Sequence, residues 1–115
     1  NCYQCMSIVH PTLALYAVYC PNDPSTTAPV GSKLPNAWNL RDMHGNVAEW
    51  CWDVHDVYPT GTVTDYTGPA SGAGRVFRGG GFEYSAIFAR CADRRGYVPW
   101  WRDYNYGFRL VRTDM

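Results

Sequence analysis

Apolar and polar positions in this chain alternate over short distances and never settle into a long helical period. Residues 1–20 are apolar and cysteine-bearing, and the run from Ile8 to Tyr19 is interrupted by His10, Pro11 and Thr12. Residues 21–36 hold four prolines among Asn, Asp, Ser, Thr and Gly. Proline cannot continue a backbone ladder, so this segment reads as an ordered loop. Residues 37–58 gather Trp38, Trp50 and Trp52 around Asp42-Met43-His44-Gly45-Asn46, and residues 59–74 return to a loop composition rich in Gly and Pro. Arg75-Val76-Phe77-Arg78 predicts a short strand, and Gly79-Gly80-Gly81 after it predicts a bulge or a close backbone approach. Tyr106–Arg112 alternates again and predicts a closing strand. The pattern as a whole predicts an α+β fold with short strands, little helix and long ordered loops. Loops of that length in a small domain are usually functional or tied down.

Composition narrows the function classes. With 115 residues the chain suits one domain with a modest core. Ten basic and ten acidic residues give no net charge, which removes the broad electrostatic grip needed for nucleic acid or an anionic membrane surface. No apolar run approaches the roughly 18 residues of a membrane span, so no membrane insertion is expected. Aromatic residues at 16% and charged residues at only 17% are the reverse of a disordered composition. The chain begins at Asn1 without the basic start of a signal peptide. Residues 1–13 are therefore expected to be an N-terminal segment of a processed product or of a longer polypeptide, with the domain proper at 14–115. Five cysteines (Cys2, Cys5, Cys20, Cys51 and Cys91) leave at least one thiol free or paired between chains.

Three stretches in order carry a specific resemblance. They are Thr27-Ala28-Pro29-Val30-Gly31 with Leu34-Pro35-Asn36, then Asp42 to Asp53 (DMHGNVAEWCWD), then Arg75 to Gly80 (RVFRGG) with Gly107 to Arg112 (GFRLVR) closing the chain. Over roughly residues 14–112 the chain resembles the C-terminal part of formylglycine-generating-enzyme, or sulfatase-modifying-factor, domains. The resemblance implies a C-type-lectin-like fold. Family members are usually more than twice this long, which implies a minimal version, or a remainder that lies on another chain completing the fold or was cleaved away.

The resemblance also frames the chemistry. The family's oxidases hold copper(I) between two cysteines five residues apart, because a soft monovalent ion favours converging thiolates. Here the second position is Cys91, while the first is Ala86. One thiolate cannot make the pair, so copper is not expected and the chain leans away from being an enzyme; Cys91 is expected as a buried small hydrophobe and would be catalytic only if the oxidase alternative held. His10, His44 and His55 show no facial-triad or zincin spacing. The segment from Asp42 to Glu49 resembles the family's calcium loop, which implies carboxylate oxygens from Asp42 and Glu49 and backbone carbonyls from Gly45 and Val47 around a structural ion. The competing reading is a solvated turn whose carboxylates cap local backbone. Cys2-x-x-Cys5 with His10 and Cys20 could complete a zinc site, with a disulfide among these cysteines the alternative in an exported protein.

Residues 82–106 contain eight aromatics in 25 positions, interleaved with Arg, Asp, Asn and Gly. Rigid aromatics give large contact area at low entropy cost, and the polar residues add hydrogen-bonding reach, which is the composition of a binding surface. The stretch also resembles the variable region of C-type-lectin-fold proteins diversified by retroelements, with Ala86, Arg90, Ala92, Arg94, Pro99, Arg102 and Gly107-Phe108-Arg109 as the fixed frame. The expected ligand-binding residues are Tyr84, Asp93, Arg95, Tyr97, Trp101, Asp103, Tyr104 and Asn105. Phe82, Phe88 and Phe108 are expected in the core. The function expected from these features is a non-catalytic module displaying residues 83–105 to a protein or glycan, in an extracellular or cell- or virion-surface setting; the alternative is a formylglycine-generating oxidase or a fragment of one.

Overall fold

A computed structural model describes residues 9–20, 22 and 26–112. Its longest strand, β3 (Ala48–Val54), is the axis of a four-stranded sheet ordered β5-β4-β3-β6. Strand β4 (Arg75–Arg78) runs antiparallel to β3, and β5 (Arg95–Tyr97) antiparallel to β4. Strand β6 (Tyr106–Gly107) runs parallel to the other side of β3. A second, two-stranded parallel pair joins β1 (Ala17–Val18) to β2 (His44–Gly45). Strand β4 occupies the residues that the Arg-Val-Phe-Arg alternation predicts, with Val76 buried and its neighbours Arg75 and Phe77 half-buried.

The core gathers the residues of β1 and the start of β3. Ala17, Val18, Tyr19, Cys20 and Ala48 are buried, with Val76, Phe82 and Ala89 closing it. Crossing chains are allowed to approach here by backbone conformation. Gly45 has φ 75° and Asn46 φ 64°, and a Cβ on Gly45 would sit inside the Val18 carbonyl. Only glycine tolerates that approach, and asparagine is one of the few other residues that adopts the left-handed region readily. The buried Asn46 side chain then fastens the loop after residue 25: its Oδ1 accepts from Ala28 N (2.9 Å) and its Nδ2 donates to Ala28 O (3.2 Å). Arg41 donates to the Gly31 and Lys33 carbonyls, and Lys33 Nζ to Ala14 O. The described part of the proline-rich segment is therefore an ordered loop, as its composition predicts.

Four expectations need correction. A short helix, α1 (Pro11–Tyr16), begins in the segment read only as interrupted apolar chain. Proline at its first turn costs nothing, since that N–H has no helical partner. The closing strand stops at Gly107, and residues 108–112 are irregular. Phe108, expected in the core, is 74% exposed. The cause is Arg109, whose side chain turns inward to Glu49 and so sends its neighbour Phe108 outward. Finally, Cys20 is disulfide-bonded and cannot supply a zinc thiolate; the other two cysteines of that reading, Cys2 and Cys5, lie outside the described residues. Among the described residues no helix is long and apolar enough to cross a membrane.

Candidate functional site

The glycine triplet after β4 creates the site's frame. Gly79 and Gly80 have φ 94° and 70°, and a Cβ on Gly80 would lie 3.0 Å from the Phe88 carbonyl group. This lets the short 3-10 helix Ala86–Ala89 press against the turn. The chain then passes through a tight turn at Arg90–Asp93 into β5, and returns through a loop to β6. Residues 83–105 thus run between β4 and β6, add β5 to the edge of the sheet and line part of one of its faces.

A pocket of about 500 Å³ opens in this face. Phe77, Tyr84, Phe88 and Tyr106 form aromatic walls, with Ala48 and Gly80 between them and Arg78, Asp93 and Arg95 as its charged lining. The walls are rigid by contact: Phe77 meets Tyr106 edge-on at 4.9 Å, Trp50 backs both at 5.6 Å, and Tyr84 packs on Phe88 at 5.3 Å. Asn105 Nδ2 donates to the Tyr84 hydroxyl (3.1 Å). Burial, and then the hydrogen bond with Tyr84, push the Tyr106 phenol well above its ordinary value, so it stays neutral and polar but uncharged. The Arg95 guanidinium lies over the Phe88 ring at 4.3 Å, while its Nε donates to Asp93 (3.3 Å).

The expected ligand-binding residues separate into three groups. Tyr84, Asp93 and Arg95 line the pocket. Tyr97 (47% exposed) and Trp101 (43%) meet edge-on at 5.1 Å on the outer surface beside it. Tyr104 is 67% exposed, and its hydroxyl donates to both oxygens of Glu83 at 2.9 Å; that bond raises the phenol's pKa. Asp103 is exposed and accepts from the Tyr104 backbone N–H. Asn105 is buried at 4% exposure: it supports Tyr84 from behind and offers its carbonyl to Ala48 N (2.8 Å). Phe77 and Arg78 belong to the pocket but were read only as strand residues, and Tyr106 joins them from the end of the aromatic-rich stretch. The signal that finds them is cross-strand register, since Phe77 pairs with Arg95 and with Trp50 on one face of the sheet.

The calcium-loop residues are drawn together differently. Both Glu49 oxygens accept from Arg109, Nε and Nη2 each at 2.6 Å. Arg109 also donates to the Asp42 carbonyl (2.9 Å) and the Arg41 carbonyl (3.2 Å). Asp42 Oδ2 accepts from Gly31 N at 2.7 Å. Gly45 and Val47 supply backbone around the same turn, where Gly45 N donates to Gly79 O. A guanidinium therefore already matches Glu49, and an ion bound to this loop would have to share that carboxylate with Arg109.

The positions corresponding to the oxidase cysteines also lie apart from a thiolate pair. Ala86 begins the 3-10 helix and lines a separate open groove of about 800 Å³ with His44 and Ile87. Cys91 is not the buried hydrophobe expected but is exposed with a free thiol, and Cys51 is half-buried, its thiol pushed up by burial. Among the described residues no group of three or more His, Cys, Asp or Glu is placed to hold a metal.

Residues 9–114 match the model of the sulfatase-modifying factor enzyme 1-like domain. The chain is 39% identical over 92 residues to a serine/threonine-protein kinase pkn1 of Chlamydia caviae, covering 76% of this chain and 15% of that protein. It is 38% identical over 91 residues to a formylglycine-generating enzyme of Streptomyces coelicolor, covering 75% of this chain and 29% of the enzyme. The chain thus spans less than a third of the curated relatives it matches. Among solved structures it resembles Treponema denticola variable protein 1, with a TM-score of 0.80 and 43% identity, over 87% of this chain and 37% of that one. It also resembles PvdO from Pseudomonas aeruginosa, with a TM-score of 0.66 and 29% identity, over 83% and 38%. The architecture agrees with the expected α+β, C-type-lectin-like fold of short strands and little helix.

Proposed function

The chain belongs to the sulfatase-modifying factor enzyme 1-like family, and within it we propose a non-catalytic display module that binds a protein or glycan ligand. The observation that carries this reading is the outward aromatic surface of Tyr97, Trp101 and Tyr104 beside an aromatic-walled pocket. Exposed aromatics beside a pocket offer large contact area at low entropy cost, which suits a surface that binds. The likeness to a variable protein supports the same reading. In that reading the sheet and the Gly45–Asn46 crossing are the constant scaffold, and residues 83–105 carry the ligand contacts, diversified by a retroelement. The test is deep sequencing of this gene across many cells of its source population. The expected result is substitution concentrated in codons 83–105, sparing Ala86, Arg90, Ala92, Arg94, Pro99 and Arg102, with a near-copy differing at adenines close by. Uniform variation along the gene with no near-copy would overturn diversification.

The second reading is the family's oxidation, favoured by the identity to formylglycine-generating enzymes. It lacks a thiolate at Ala86. Incubation with a sulfatase-derived cysteine peptide and copper(I) is expected to leave the peptide unchanged by mass spectrometry; formation of formylglycine would reverse the assignment.

A further inference from the structure

We propose that the pocket between β4, the 3-10 helix and β5 takes a monoanionic carboxylate carried on an aromatic or branched apolar body. This rests on reading residues 83–105 as a binding surface, and it adds the chemistry of the group that surface receives.

The walls set the body. Phe77, Tyr84, Phe88 and Tyr106 enclose about 500 Å³, within the size range of small-ligand pockets and enough for one large side chain. Their rings are locked against one another, so a planar or branched apolar group enters without reorganising them. The charged lining sets the head group. Arg78 and Arg95 bring two guanidiniums and Asp93 one carboxylate, leaving one net positive charge. That matches a single negative charge better than the double charge of a phosphate.

Donor geometry points the same way. Arg95 spends only Nε, on Asp93, and sits over Phe88 at 4.3 Å; its terminal nitrogens have no hydrogen-bond partner among the described residues. Arg78 donates to the Cys91 carbonyl and keeps its other N–H groups. A guanidinium fork with unspent parallel donors is suited to bidentate carboxylate recognition. The Phe77–Arg95 cross-strand pair fixes apolar wall and cationic head at a set spacing. Two sources present this chemistry: the C-terminal residue of a protein, or a free aromatic acid.

The experiment is an NMR titration of the full chain, following backbone amides. The probes are 3-phenylpropionate, 3-phenylpropionamide, a pentapeptide ending in Phe with a free C terminus, the same peptide amidated, and inorganic phosphate. Carboxylate probes are expected to shift the amides of Phe77, Tyr84, Phe88 and Arg95, and each neutral counterpart to bind at least tenfold more weakly. Arg95→Gln is expected to erase that tenfold difference while its other amides keep their native shifts. Arg94→Gln, whose guanidinium bonds to Asp56 O outside the pocket, is expected to preserve it. The tighter of the acid and the free-C-terminus peptide identifies the source. Equal binding of acid and amide, tighter binding of phosphate, or shifts confined to other residues would overturn the proposal. None of these outcomes touches the reading of Tyr97, Trp101 and Tyr104 as a ligand face, which substitutions at those three residues test separately.

Discussion

Replacing Arg109 with Met keeps most of the side chain's bulk and removes its guanidinium. The native group makes two 2.6 Å bonds to Glu49 and two more to the Arg41 and Asp42 carbonyls. It ties the irregular chain after β6 to β3 and to the 41–42 turn. A hydrogen bond to a charged partner is worth about 1.5–3 kcal/mol net. The two side chains are 33% and 23% exposed, so solvent screens part of that. Losing the pair and leaving Glu49 half-buried without its cation should cost about 2–3 kcal/mol. For a domain near 100 residues that lowers Tm by roughly 10 °C. Thermal unfolding followed by circular dichroism reads the shift, and Glu49→Gln completes a double-mutant cycle with an expected coupling of about 1–2 kcal/mol. Arg109's raised pKa comes first from its bond to Glu49. Its contribution is therefore complete below the ordinary arginine value and is lost only as pH rises beyond it, so the Tm difference should hold across pH 6–9. A drop under about 2 °C, or strictly additive single substitutions, would refute the account of this linkage.

Other expectations follow from the same contacts. Gly45→Ala drives a Cβ into the Val18 carbonyl at a positive φ and should cost at least about 3 kcal/mol, read as loss of soluble, folded protein. A structural calcium held by Asp42, Gly45, Val47 and Glu49 would share Glu49 with Arg109, and removing it with EDTA should then lower the native Tm measurably; an unchanged Tm would remove the ion from this loop. The Glu83 bond raises Tyr104, so in an ultraviolet pH titration this phenol should keep its proton as pH passes the ordinary tyrosine value and lose it only above. Glu83→Gln should bring the titration back down, and an unchanged curve would contradict the bond.

Legibility in the sequence followed the range of the interactions. Strand β4 could be read because Arg-Val-Phe-Arg is bounded by loop residues on both sides. The glycine triplet announced a close approach, and Phe88's backbone supplies it. Helix α1 was hidden by its brevity, since six residues show less than two turns of period. Phe108 was misplaced because alternation gives a period but not its phase. The phase is set by Arg109 reaching Glu49, sixty residues earlier in the chain. Asn105 looked like a surface polar residue, yet its backbone pairs with Ala48 and its amide props Tyr84. The pocket itself depends on register between β3, β4 and β5, which no local pattern encodes.

The claim that residues 83–105 form a ligand face is tested most directly by comparing the native chain with a Tyr97→Ser/Trp101→Ser/Tyr104→Ser variant. Both are immobilised and presented with a glycan array and with surface proteins extracted from the source community. The account predicts that the native chain retains a defined glycan or protein, that the variant loses it at least tenfold, and that the two unfold at the same temperature within about 2 °C. Equal retention by both chains would contradict it.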